Sequence, residues 1–309
     1  MMDGVLVIDK PQGPTSHDVV ARARRVLGTR RIGHTGTLDP LATGALPLVI
    51  GRATRLASLM AGTTKEYLAD VRFGLATPTY DADARMLRDS ETGQVSGLTP
   101  PPPEPQGLNA ATIEAQLDRF RGTSLQTPPA YSAKKIAGVA AYKRARRNEP
   151  VSPKPAPVTA HAVTLENYGD GLARIRLSTS AGYYVRSFAH DLGQAIGCGA
   201  HLEALRRVRS GEFSLDRAVT LDAIQADGFD PSAALIPLER LLPDLPSVIV
   251  TDRGHRLASH GNALRAEDFS TPPAGMPAGP TRLLDSQGAL LGIAEPDGHG
   301  LLHPVIVLG

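Results

Sequence analysis

The chain has a single cysteine in 309 residues and no tryptophan. One cysteine, Cys198, excludes an internal disulfide framework and fits a reducing compartment. Set between Gly197 and Gly199, it reads as a small packed residue rather than a nucleophile. Long apolar runs are missing too: none approaches the roughly 20 residues needed to cross a bilayer. No basic region followed by an apolar segment and a small-residue cleavage site opens the chain, so a secretory signal is not expected. The cytoplasm is the expected location. Neither a Cys-x-x-Cys nor a Gly-x-x-x-x-Gly-Lys-[Ser/Thr] occurs, and the nine histidines are scattered, so no metal and no phosphate-cradling loop are expected. Excess charge is also small, at +2 with a pI near 8.7. A balance so mild neither demands nor forbids a nucleic-acid partner, because that argument rests on local patches.

Hydrophobic residues at 41% and charged residues at 21% suit a folded chain with one large core, or one large and one small. Three basic clusters stand out: Arg22, Arg24, Arg25, Arg30 and Arg31; Lys134, Lys135, Lys143, Arg144, Arg146 and Arg147; and Arg206, Arg207 and Arg209. Together they predict a phosphate-binding surface.

Val5 to Ile8 reads as a buried strand ending in a Lys-Pro-x-Gly turn. Ser16 is the expected N-cap of a helix carrying Val19, Val20, Ala23, Val26 and Leu27, closed by Gly28. Arg30 to Gly44 lacks periodicity and is expected to be a loop. Tyr67, Ala69, Val71 and Phe73 alternate with polar neighbours as in a half-buried strand, and so do Ala173, Ile175 and Leu177. Ile113, Leu117 and Phe120 suit a helix face, and Gly97 to Gly107 is a Pro-rich exposed connection. Val185 to Ile196 and His201 to Arg207 are both expected to be helical. Prolines cluster again from Pro237 to Pro246, which sets a boundary before a small β-rich module. The fold class expected is α+β with a mixed, mainly antiparallel sheet and flanking helices.

The densest chemistry lies in Gly33-His34-Thr35-Gly36-Thr37-Leu38-Asp39-Pro40-Leu41-Ala42-Thr43-Gly44. Small residues let a ligand approach the backbone closely, and one carboxylate, Asp39, sits beside a rigid proline. Read alone, Asp39 is a turn residue and His34 a hydrogen-bonded loop histidine. The whole stretch, however, resembles the catalytic loop of the TruB family, the bacterial tRNA pseudouridine-55 synthases. Four further blocks follow the family's pattern in order: Lys10-Pro11-Gln12-Gly13-Pro14-Thr15-Ser16; Lys65-Glu66-Tyr67; Tyr131-Ser132-Ala133 with Lys135 and Gly138; and Gly182-Tyr183-Tyr184-Val185-Arg186-Ser187 leading through Asp191-Leu192-Gly193 to Leu205-Arg206-Arg207. The resemblance is strong from about Val5 to Gly211 and weak in the tail. Tyr183 departs from it, standing where a small hydroxyl residue is common.

The resemblance implies a pseudouridine-synthase fold over residues 1–240, with an RNA-gripping insertion at about 124–152. It implies a small C-terminal β-barrel like the PUA RNA-binding domain over 247–309. Asp39 would be the essential aspartate, Tyr67 would pack against the target base and take part in removing its C5 proton, and Arg186 would orient Asp39. His34, Tyr184, Leu205 and Lys135 would contact or frame the RNA. The substrate implied is a uridine at position 55 in the T-arm loop of tRNA. The protein would act as a monomer without metal, cofactor or guide RNA; the Gly197-Cys198-Gly199-Ala200-His201 block and the lack of long basic tails fit the stand-alone branch. Isomerisation exchanges no electrons and gains no atoms. A hydrolase acting on the same bond would need a second carboxylate; the nearest candidate, Asp191, reads as a helix-face or capping residue. The rival expectation is a tRNA-binding or folding protein with vestigial catalysis.

Overall fold

The computed structural model describes residues 2–83, 105–132, 135–136, 139–140, 144, 153–270, 277–298 and 300–309. Most of the Pro-rich run, Lys134, Lys143, Arg146 and Arg147 lie outside them. The strands in chain order are β1 (Gly4–Lys10), β2 (Ile32–His34), β3 (Thr43–Ile50), β4 (Lys65–Phe73), β5 (Gly122–Gln126), β6 (Lys135–Ile136), β7 (Val139–Ala140), β8 (Ala156–Gly169) and β9 (Leu172–Thr179). They continue as β10 (Ala200–Ser210), β11 (Phe213–Ser214), β12 (Val219–Thr220), β13 (Ile236–Pro237), β14 (Ser247–Ile249), β15 (Thr281–Leu284), β16 (Leu290–Pro296) and β17 (Leu302–Val307).

One large sheet runs β12-β1-β3-β10-β4-β9-β8-β5, with β2, β11 and β13 attached at its flanks. Only β1 with β12 and β3 with β10 pair parallel, so the sheet is mixed and mainly antiparallel within an α+β fold. Its two faces explain the sequence patterns. Leu6 and Ile8 of β1 face one core, against the helices Ser16–Val26, Ala110–Leu117 and Val185–Ile196. Val5 and Val7 face a second core shared with Met60, Leu290, Ile293 and Leu308. A strand covered on both sides is apolar throughout, whereas β4 alternates because its outer face stays polar.

The C-terminal residues form a sheet ordered β14-β15-β16-β17, with the helix Asp252–Ser259 beside it. Val248, Val250, Ala258, Leu264, Phe269, Leu283, Ala294 and Leu302 make its own core. The proline cluster before it is only partly a linker, since Ile236 still pairs with Val5 of β1.

Three local expectations need correction. Thr15, not Ser16, is the N-cap: its hydroxyl accepts from the Asp18 backbone N–H and Asp18 reciprocates, a capping box. Ser16 is thereby freed for another partner. Ile32–His34 pairs with β3, so part of the expected loop is a strand. His201 to Arg207 lies within β10, at the centre of the sheet between β3 and β4. Its register shifts between Leu202 and Ala204 and again between Arg207 and Arg209. Those irregularities break the period of two and leave Leu202 and Leu205 three apart, a helix-like spacing in a strand.

Candidate active site

The loop carrying Asp39 spans the gap from β2 to β3, and the turn after β1 holds it. Lys10, fully buried, donates from Nζ to the carbonyls of Ala42 at 2.7 Å, Pro11 at 2.9 Å and Pro40 at 3.4 Å. The Ser16 hydroxyl donates to the Leu38 carbonyl at 3.1 Å and accepts from the Leu38 N–H at 2.8 Å. Gly13 N–H donates to Pro40 O at 2.9 Å. The chain on both sides of Asp39 is thus pinned by side chains from the neighbouring turn. Burial pulls the Lys10 ammonium down to about 8, against the opposing pull of Asp39 and Asp83. Gly44, at φ +98°, ends the loop where β3 meets Arg207 of β10.

Arg186 begins the helix Val185–Ile196 and points at this loop. Its Nε lies 2.9 Å from Asp39 Oδ2, and its Nη1 lies 3.4 Å from Asp81 Oδ2. Nη1 also donates to Thr79 O at 3.1 Å and Nη2 to Tyr131 O at 2.9 Å. The two carboxylates differ in setting: the Asp81 side chain is 5% exposed and that of Asp39 40% exposed. One guanidinium therefore joins an open acid to a closed one. Asp81 lies outside the motif blocks, and its only sequence signal is the Asp-x-Asp with Asp83. Burial pushes Asp81 up to about 6, although Arg186 and the Thr79 hydroxyl pull it back. Burial likewise raises Asp83, with Asp39 adding to the rise.

A titration near 6 beside Arg186 has a consequence for pH. Below it Asp81 is neutral and holds Arg186 less firmly; above it the ion pair is complete. Activity is expected to fall as pH drops through about 6, and Asp81→Asn should flatten that limb of the pH–rate profile. A variant that keeps the wild-type acid limb would assign it to another group.

Thr35 to Asp39, Tyr67, Ser180 to Arg186, Leu205 and Arg207 line a cleft of about 430 Å³. Tyr67 stands opposite Arg207 of β10 and Leu177 of β9. Burial raises its phenol, while the positive charge of the Arg207 guanidinium works the other way. The run of arginines around it reads as surface, yet Arg207 is 1% exposed. Its Nε donates to Ala45 O at 2.8 Å and its Nη2 to Gly36 O at 3.1 Å. Arg206 and Arg209 are likewise committed, to Asp9 at 2.8 Å and Glu66 at 3.7 Å. The third basic cluster is thus not a free phosphate surface.

Tyr184 precedes the helix, its backbone clasped by Gln126 through N–H to Oε1 at 2.8 Å and O to Nε2 at 3.0 Å. Burial raises its phenol, and burial with Asp191 raises that of Tyr183. His34 lies beyond the cleft lining, its ring edge-on to His17 at 5.5 Å, with Nδ1 accepting from Gly36 N–H at 3.3 Å. Burial, with His17 and Arg207, lowers its pKa. The backbone of Lys135 pairs with Ala140 in a two-stranded ribbon, and its side chain lies outside the described residues. The described residues contain no group of three His, Cys, Asp or Glu able to hold a metal. One His-x-x-x-His spacing does occur, His299 to His303; His303 lies 3.3 Å from Asp297, and His299 is outside the described residues.

Comparison with known proteins joins this site to a family. Residues 24–185 match the TruB family pseudouridylate synthase N-terminal domain, and residues 186–243 match the tRNA pseudouridylate synthase B C-terminal domain. A protein of Solibacter usitatus named tRNA pseudouridine synthase B is 43% identical, over 99% of this chain and 100% of its own. One of the same name from Thermobifida fusca is 38% identical over 99% of both. Among solved structures, a chain of a Cbf5-Nop10-Gar1 complex aligns at 26% identity with a TM-score of 0.70, covering 94% of this chain and 78% of that one. With more than half its length matched by the family's first domain and relatives alike from end to end, the chain belongs to the TruB family of pseudouridylate synthases.

Proposed function

We propose that this protein converts a uridine of tRNA, at position 55 in the T-arm loop, to pseudouridine with Asp39 as the essential residue. The observation that carries the reading is the Asp39–Arg186 pair, open on its acid side, at a tyrosine-lined cleft. Relatives over the whole chain are named for tRNA, which supports the substrate class. The reaction breaks N1–C1′, turns the base over and joins C5 to C1′. The nucleotide must leave its stack, at a few kcal/mol. Stacking on Tyr67 recovers about 1–3 kcal/mol. Asp39 then acts at the sugar, by attack at C1′ or by removal of the C2′ proton. Arg186 fixes its direction, Leu205 closes the wall, and Tyr67 takes part in removing the C5 proton.

His34 fills space vacated by the flipped nucleotide, while Tyr184 and the Lys135 segment grip the RNA. The C-terminal sheet is a PUA-like module that adds backbone contacts, and the protein works alone, without guide RNA. The test is unmodified tRNA incubated with pure protein and EDTA, beside Asp39→Asn, with products read by mass spectrometry. Pseudouridine in the T-arm with wild type, and a loss of about 10³-fold or more in the variant, is expected. Binding without modification by wild type would favour a tRNA-folding protein.

A further inference from the structure

Arg207 and Lys65 are buried cations with no assigned part in this chemistry. Arg207 is 1% exposed and Lys65 5% exposed, yet both line the cleft. Among the described residues neither forms an ion pair with a carboxylate. The Arg207 guanidinium is held by the carbonyls of Ala45 and Gly36, and the Tyr67 phenol lies close enough to interact with its charge. Lys65 Nζ donates to the carbonyls of Ala61 and Thr63, both at 2.5 Å. Neutral dipoles satisfy their hydrogen bonds without cancelling their charge. A buried charge is costly to keep unless something negative arrives. Among the described residues the only acid lining the cleft, Asp39, is already engaged by Arg186.

We propose that Arg207, with Lys65 beside it, forms a cationic wall that stabilises the negative charge on the uracil ring once its bond to the sugar has broken. This rests on the isomerase reading above. When N1–C1′ breaks, the electron pair leaves with N1 and the base becomes an anion, its charge shared with O2 and O4. C1′ is satisfied by the Asp39 carboxylate, or by the pair released when Asp39 takes the C2′ proton. After the ring turns, C5 bonds to C1′ as the Asp39–C1′ bond breaks, or as Asp39 returns its proton to C2′. C5 then loses its proton and N1 gains one, so Asp39 is regenerated and no atom is gained or lost overall. Between those events the anion lies in the cleft that Tyr67, Arg207 and Lys65 line together. A fixed charge in a site of low dielectric acts there without reorganising at the moment of cleavage. Gly36 keeps the wall close, since a Cβ at that position would meet Arg207 Nη1 at 3.3 Å and Lys65 Cε at 3.9 Å.

The experiment varies the leaving group. Full-length wild type, Arg207→Met, Arg207→Lys and Lys65→Met are compared in single turnover on tRNA carrying uridine or 5-fluorouridine at the target. Cleavage of N1–C1′ is followed by loss of the unmodified nucleoside. The fluorinated base is the stronger acid, so its anion needs less help. Arg207→Met should lose about 100-fold on uridine and clearly less on 5-fluorouridine. Affinity for tRNA should stay within a few-fold, and Arg207→Lys should restore part of the rate. Equal losses on both substrates would overturn the wall, since misplaced groups slow both alike. Should Arg207→Met fail to fold, Lys65→Met must show the same substrate-selective loss, or the proposal falls. A wild type inactive on either tRNA would instead overturn the isomerase reading and the wall with it.

Discussion

Replacing Arg186 with methionine is expected to cut pseudouridine formation by about 10³-fold and to cost about 3 kcal/mol of stability. Four groups lose their partner at once: the carboxylates of Asp39 and Asp81 and the carbonyls of Thr79 and Tyr131. Asp81 suffers most, because it is buried and the guanidinium is what holds its carboxyl down to about 6. Without it that carboxyl rises and takes a proton at neutral pH, which limits the stability loss but removes the anchor. Asp39 is then free to rotate in the open cleft, where misplacement by an ångström is costly in rate. Arg186→Lys is expected to recover little of the loss, since an ammonium is a single point of charge and cannot span both acids and both carbonyls. Single-turnover rates at saturating tRNA, with thermal melts alongside, check both effects. A variant within tenfold of wild type would show that Asp39 needs no such partner.

Gly44→Ala carries the second large effect. At φ +98° an L side chain is strained, and a Cβ there would stand 2.2 Å from the Arg207 carbonyl oxygen and 2.9 Å from its nitrogen. Both obstacles are backbone atoms of the central strand, so no side chain can swing aside. Gly44 pairs with Lys10 of β1 on one side and with Arg207 on the other. Relief would require prising β3 from β10, at about 3 kcal/mol or more. Loss of the urea-unfolding midpoint with an unchanged slope would report this, and activity should fall with it because Arg207 and the Asp39 loop move together. An alanine variant as stable as wild type would mean that the strands part easily there.

Legibility in the sequence followed a physical divide. Where one face of an element meets water, the pattern is plain: β4 and β9 alternate, and the helix Val185–Ile196 shows its apolar stripe. β1 was readable as a short buried run bounded by a turn. β10 was not, because bulges displace its side chains and both its neighbours are distant in sequence. At the site, the motif loop marks Asp39, and Arg186 follows from the tyrosine-valine-arginine block. Asp81 carries only the faint sign of its Asp-x-Asp with Asp83, since its meaning comes from a guanidinium far along the chain. Arg207 misled for a similar reason. A run of arginines reads as a wet surface, and only the close pairing of Tyr67, Ala45 and Gly36 around it turns one member inward.

The position of β10 between β3 and β4 also dictates when the enzyme comes into being. A ribosome delivers β3 and β4 early and close together, but each leaves its hydrogen-bonding edge toward the other bare, reserved for a strand made much later. Leu205 and Arg207, two walls of the cleft, arrive on that strand, and Arg186 arrives just before it. Synthesis proceeds at about 5–20 residues per second. For several seconds, therefore, the nascent chain holds its aspartate loop with neither the arginine that aims it nor the strand that backs it. A truncated product ending before Ala200 would carry the motif but lack Leu205 and Arg207, and it is expected to be chemically silent.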